Sequence, residues 1–229
     1  MKIEPSLDIS FDSAFADRAS LPWWPWVGSQ FAQSEARTML VGESVYDWNP
    51  AGSDFKTRYA GSDALRITHR NHALNLRRKS PYARNIERAI FRAATPTDEQ
   101  KLHLWSSVAY HNRVLVPLAS SKRRPTHDHY LAGWQELLDL CRLLAVKQCL
   151  VYGLEDKKLQ ALKQTVDLRG GTCIIRQVPT KVGRFVPRVA SVTDGDFTTE
   201  LPLIRHPSAF FNWRRWGAVI HENLALPGT

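Results

Sequence analysis

The chain is short of several residue types, and each shortage closes off a class of answer. It has three cysteines in 229 residues. Cys141, Cys149 and Cys173 are odd in number and lack close spacing, so they support neither a disulfide framework nor a four-cysteine metal site. They read as small buried hydrophobes. No stretch reaches the roughly 18 uninterrupted apolar residues of a membrane helix. The opening MKIEPSLDIS lacks the apolar core of a signal peptide, so a cytoplasmic protein without membrane attachment is expected. Internal repeats and low-complexity segments are also missing. A length of 229 residues with none of these features suits a single domain, 1–229, with a large core.

Acidic residues are scarce beside basic ones, 22 Asp+Glu against 31 Lys+Arg, which leaves a net charge of +9 and a pI near 9.7. Such a balance suits a polyanionic partner, because Lys and Arg that displace counterions from phosphates supply most of non-specific nucleic-acid affinity. The basic residues are bunched: His69-Arg70 with Arg77-Arg78-Lys79, then Lys122-Arg123-Arg124, then Arg214-Arg215 inside FFNWRRW at 210–216. Arginine interleaved with aromatics is the composition expected where a strand is gripped and a base stacked. One such cluster alone reads equally well as a solvated face; three together point to nucleic acid.

Short apolar runs alternate with amphipathic ones. TMLVG (38–42), HLWSSVAY (103–110), QCLVYG (148–153), TCIIRQV (172–178) and LPLIRH (201–206) are bounded by Gly, Pro or polar residues, as buried strands are. Helical periodicity occupies 82–93, 127–146, 155–166 and 213–224, the second of these behind Thr126 as a candidate N-cap. A Gly- and Asp-bearing stretch from Asn49 to Asp63 reads as loop. LPWWPW (21–26) reads as a packed aromatic anchor. Alternating strands and helices predict an α/β fold with a mostly parallel central sheet and helices on both faces. In such folds ligands sit beyond the carboxyl ends of the strands. There the sequence places GESVYDW (42–48), AYHN (109–112), Gly153 and RHPS (205–208).

A strand ending in Gly-Glu, a basic loop with Arg-Pro-Thr leading into a long helix, a Val-x-Gly strand end and a late His-Pro-Ser, in this order, resemble the uracil-DNA glycosylase superfamily. The resemblance runs over 38–216; residues 1–37 read as an N-terminal extension and first helix. It implies the superfamily's α/β fold and removal of a base from DNA by a monomer without a cofactor. The superfamily's iron–sulfur branches need four cysteines and are excluded by counting. It also implies roles. Glu43 or Asp47, in the loop after the first strand, would position the hydrolytic water. His206 would donate to the base oxygen, and Pro207 and Ser208 with it would enter the minor groove. Tyr59 matches the aromatic that stacks on the flipped base, with Phe55 as the other choice. Ser107 stands where the family has a base-reading asparagine.

The chemistry is consistent with these types. Breaking an N-glycosidic bond builds positive charge on the sugar and negative charge on the departing base. A carboxylate serves the first and a neutral imidazole the second. The target must leave the stack, which needs an aromatic wall (Tyr46, Tyr59), a wedge (Phe210 or Phe211) and cations on phosphates (Lys122, Arg123, Arg124, Arg214, Arg215). The motif departs from the main uracil enzymes at Ser44, Val45 and Ser107, so a damaged or modified pyrimidine, such as a modified cytosine of phage DNA, is expected before uracil. A non-catalytic nucleic-acid-binding module of the same fold is the alternative, and an RNA-binding α/β domain a weaker one. His69 with His72, and His127 with Asp128 and His129, lack a third metal ligand at a recognised spacing, so no metal is expected. No lysine stands in a catalytic position, so a Schiff-base step is not expected.

Overall fold

The computed structural model of the chain describes residues 5–47, 55–120, 122–208 and 210–226. Part of the Asn49–Asp63 stretch read as loop lies outside the described residues. Apolar runs too short and too uniformly apolar for amphipathic helices become the central strands. TMLVG forms β2, Thr38–Gly42, with every residue buried, and QCLVY forms β4, Gln148–Tyr152, likewise. One seven-stranded sheet results. Its other strands are β1 (Trp26–Val27), β3 (Ala109–Asn112), β5 (Thr172–Gln177), β6 (Arg188–Asp194) and β7 (Phe197–Ile204), in the order β1-β3-β2-β4-β7-β6-β5.

The sheet is mixed, which corrects the mostly parallel expectation. β3, β2, β4 and β7 run parallel, while β1 lies antiparallel on β3 and β6 and β5 continue antiparallel beyond β7. The local cause is the β6–β7 hairpin. Asp194 pairs with Phe197, leaving the two-residue turn Gly195-Asp196, and Gly195 adopts φ 63°, which a residue without Cβ takes at little cost.

Helices cover both faces. On one lie α6 (His127–Leu143) and α7 (Asp156–Leu168), packing Tyr130, Trp134, Leu137 and Leu162 on Met39, Val41, Cys149 and Val151. The other face carries α3 (Ala64–His69), α4 (Pro81–Phe91), α5 (Asp98–Ser107) and α8 (Trp213–Asn223), whose Ile86, Trp105 and Trp216 pack on Leu40, Leu150 and Ile204. Alternate residues of β2 and β4 thus serve opposite cores, the two-residue period of a strand. α1 (Asp12–Ala16) and α2 (Phe55–Arg58) are short additions, and a π-helical turn, Arg70–Leu74, follows α3.

The helix expected behind Thr126 begins there with a capping box: the Thr126 hydroxyl accepts from the His129 N–H, and His129 Nδ1 accepts from the Thr126 N–H. The strand expected at 103–110 is overturned. Residues 98–107 form α5, opened by the same device at Thr97 and Gln100, and the strand is the shorter segment 109–112. Cys141 and Cys149 lie side by side in the core as thiols, Sγ to Sγ 3.4 Å. Among the described residues no helix is long and apolar enough to cross a membrane.

Candidate active site

The carboxyl ends of β3, β2, β4 and β7 open into one cleft of about 1470 Å³. Glu43 follows β2, Asn112 ends β3, Gly153 follows β4 and His206 follows β7, so four separate strands each deliver one element of the lining. The loops are stitched together. The Val114 N–H donates to the Glu43 carbonyl, the Leu118 N–H to that of Val45, and the Gly153 N–H to that of Ile204.

Glu43 is 8% exposed and surrounded by donors. Lys158 Nζ lies 2.5 Å from Oε1, and Tyr130 and Tyr46 donate their hydroxyls to Oε1 and Oε2 at 3.1 Å each. Burial alone would raise its pKa. Lys158, then Arg113, then the Tyr130 hydroxyl outweigh that and hold it down at about 2. Lys158 is itself clamped, with Glu155 Oε2 2.6 Å from Nζ on the other side. Burial and Arg113 draw its pKa below the ordinary lysine value despite the two carboxylates. Arg113 is fully buried, with its guanidinium 5.3 Å over the Tyr130 ring and 5.0 Å over Trp134.

His206 lines the cleft with its ring edge-on to Tyr152, centroids 5.8 Å apart. The Ser208 backbone N–H donates to its Nδ1 at 3.2 Å. A backbone amide can only donate, so Nδ1 is an acceptor and the neutral ring carries its hydrogen on Nε2. Burial lowers its pKa to about 4, which makes the neutral form the one present near pH 7.

Asn112 is 3% exposed, and its Oδ1 accepts from the Tyr110 hydroxyl at 2.9 Å. With the oxygen so engaged, the amide NH₂ is the end left to read a ligand. Gly42 makes this possible: a Cβ there would fall 2.1 Å from Asn112 Oδ1. Tyr46, Asp47, Phe55, Tyr59, Tyr82, Tyr110 and Tyr152 add aromatic and acidic lining, and Arg78, Lys79, Arg124, Arg184 and Arg205 supply a cationic rim.

Of the residues expected from sequence, Glu43, Tyr46, Asp47, Tyr59 and its alternative Phe55, Arg124, His206 and Ser208 line this cleft. Ser107 does not. It ends α5 at the opposite, amino end of β3, with its hydroxyl donating to the His103 carbonyl, so the strand-end position belongs to Asn112. Tyr59 is half-buried, bonded through its hydroxyl to Thr68 and packed edge-on to Trp23 and Phe55. Lys122 and Arg123 are exposed on the approach to α6, outside the lining. Pro207 is buried, its carbonyl accepting from Asn85.

The two phenylalanines part company. Phe211 is buried and stacks parallel on Trp216, whereas Phe210 is 91% exposed with φ 50°. Arg215 is exposed and lines a shallow recess beside Phe210, while exposed Arg214 lies over Trp213. Lys158, Arg113 and Tyr130 were not foreseen; Asn112 and Arg205 lie within AYHN and RHPS, placed at the strand ends by the sequence but given no role of their own, and Lys158 sits in the lining as an ion-pair partner of Glu43. The histidines considered as metal ligands are otherwise engaged: His69 is caged by Trp26, Trp105 and Tyr110, His72 bonds Ser80, His127 bonds Gln164, and His129 completes the capping box. Among the described residues no group of three or more His, Cys, Asp or Glu side chains is placed to hold a metal. No family model matches the chain, and no curated protein is significantly similar to it.

Proposed function

We propose that the protein is a monofunctional DNA glycosylase that extrudes a pyrimidine nucleotide and hydrolyses its N-glycosidic bond. One observation carries this reading: an ionised carboxylate, an amide and a neutral imidazole converge on a single cleft from the carboxyl ends of β2, β3 and β7. Each meets a separate need of the reaction. Glu43, anionic at any pH above about 2, stabilises the oxocarbenium-like sugar and orients the water. So acidic a group is a weak base, so it acts chiefly through its charge. His206 Nε2–H donates to the oxygen of the departing base, and the Asn112 NH₂ reads its edge. The tyrosines that line the cleft hold the extruded ring, and Phe210 fills the gap left in the stack.

Ser107 lies outside the cleft and does not meet the base. Ser44 and Val45 still depart from the main uracil enzymes, so the proposed base is a pyrimidine with a substituent. Release would be measured from duplexes carrying uracil, hydroxymethylcytosine or glucosylated hydroxymethylcytosine, with Glu43→Ala and His206→Ala beside the wild type. Release of a modified base, lost in both variants while DNA binding persists, is expected. Uracil as the sole product would overturn the substrate preference. Tight DNA binding with no release from any duplex would establish the alternative, a binding module.

A further inference from the structure

The cleft contains a buried cation that the reaction scheme above leaves without a task. Lys158 lies on the first turns of α7 with its side chain 1% exposed and its ammonium between Glu43 Oε1 and Glu155 Oε2. Desolvating a lysine is costly unless it is paired, and the chain has shaped its backbone to permit the pairing. Gly153 holds φ 110°, and a Cβ there would lie 2.2 Å from Lys158 Nζ and 2.8 Å from Glu155 Oε2. The space that any other residue would fill is the space the ammonium uses.

We propose that Lys158 is a positioning residue that fixes the Glu43 carboxylate in its orientation and keeps it anionic, with Gly153 as the opening that lets it reach. This rests on the glycosylase reading for its purpose but not for its geometry. Glu43 is held from every side: by Lys158 from α7, Arg113 from beyond β3, Tyr130 from α6 and Tyr46 from its own loop. Glu155 at the N-cap of α7 and Lys157 in its first turn flank the cluster, Lys157 lying 5.5 Å over the Tyr130 ring, and His206 faces it from beyond β7. The nearest of these is Lys158, on the oxygen it shares with the Tyr130 hydroxyl. Without the ammonium, the hydroxyls and the more distant Arg113 are left against the burial, which favours the protonated acid. A protonated Glu43 neither balances a sugar cation nor accepts from water in the same geometry. Clamped between two carboxylates, the ammonium has no lone pair for attack on C1′, so its role is electrostatic.

The test follows Glu43 by carboxyl ¹³C NMR and base release by single-turnover kinetics, both against pH, in wild type, Lys158→Gln and Lys158→Arg. In wild type the Glu43 signal stays that of an anion down to about pH 3. In Lys158→Gln its midpoint rises by about 1–3 units, the usual effect of removing an opposite charge at contact, and release falls below that of wild type wherever the midpoint passes the limb that His206 sets near pH 4. Lys158→Arg restores both. A ¹⁵N titration of His206 in the same samples separates its protonation from that of Glu43. An unmoved Glu43 midpoint in Lys158→Gln overturns the proposal, whatever limb His206 sets near pH 4 in all three proteins. Should Lys158→Gln fail to fold, the wild type decides: the Lys158 ¹³Cε signal must shift at the Glu43 midpoint, and independence of the two overturns the coupling. If no DNA substrate is cleaved by wild type, the glycosylase reading fails while the NMR arm still decides whether Lys158 holds Glu43.

Discussion

Replacing Glu43 by Gln keeps the volume and removes the charge, and its effect on stability depends on pH in a way the site geometry fixes. The folded protein holds this carboxyl at about 2 against a reference of 4.5. A group whose pKa is depressed by folding stabilises the native state above its unfolded pKa and loses that contribution as pH falls through the folded one. At 1.36 kcal/mol per unit, Glu43 contributes about 3 kcal/mol at pH 7, falling to about 1 kcal/mol at pH 3. A neutral amide in its place would make none of this pH-dependent contribution, and it would leave Lys158 buried with Glu155 alone. Glu43→Gln is therefore expected to be less stable than wild type by about 3 kcal/mol near neutrality, in line with the 3–5 kcal/mol cost of breaking a buried ion pair. The gap should narrow by about 2 kcal/mol between pH 6 and pH 3. Urea unfolding of both proteins at pH 7, 5 and 3 measures it, and titrations common to the two cancel in the difference. A gap that stays constant across this range would refute the claim that folding lowers the Glu43 pKa.

The adjacent phenylalanines provide an internal contrast. Phe211→Ala should cost about 3–5 kcal/mol, as a buried aromatic does, whereas Phe210→Ala should leave stability within about 0.5 kcal/mol and weaken release from duplex far more than from single strands. Equal release from both DNA forms would remove Phe210 from the wedge role. For His206, single-turnover release should hold from neutral pH down to near 4, where the ring protonates, and His206→Ala should lower it by about 10²–10⁴-fold; a limb near 6.5 would mean that the ring is not desolvated. Arg124→Ala and Arg78→Ala should each reduce the slope of log affinity against log salt by about 1, and a slope unchanged in both would place the phosphates elsewhere.

The strand-end logic was legible because it rests on local signals. TMLVG and QCLVY are apolar on both faces, so their boundaries and the Gly-Glu and Tyr-Gly that follow could be read directly. Thr126 with His129 marked the start of α6. The misreading at 103–110 has a physical cause. Leu104, Trp105, Ser106 and Ser107 are all buried in succession where α5 runs into the core, so the helix loses its amphipathic period and imitates a strand. The signal that distinguishes it was Thr97-x-x-Gln100, a capping box. Read as strand, this segment lent Ser107 the base-reading place that the end of β3 gives to Asn112, and Ser107 was one of three departures, with Ser44 and Val45, behind the expected substrate. The missed hairpin also had its mark, Gly-Asp at 195–196 ahead of Phe197. The ion cluster had none. Residues 43, 113, 130, 155 and 158 share no local pattern, and only the stacking of α6 and α7 on β2 and β4 brings them together.

The division between buried and exposed charge makes sense of the excess of base over acid. Arg78, Lys79, Arg124 and Arg184 are exposed at the rim, where salt at physiological strength screens beyond about 8 Å. Their attraction is confined to about that length and weak per contact, which suits the holding of a polyanion's backbone and gives no preference for one nucleotide over another. Glu43 faces the opposite demand. A single anion placed among phosphates on a basic protein would be pointless if solvent damped it, and buried without partners it would take up a proton. Lys158, Arg113 and the two tyrosine hydroxyls resolve this by keeping it ionised in a place that bulk salt does not reach. The rim would therefore govern how tightly DNA is held and the interior how fast a bond breaks. The two sets of charges come from different parts of the chain, exposed loops in one case and packed helix and strand ends in the other, so each can be altered without the other.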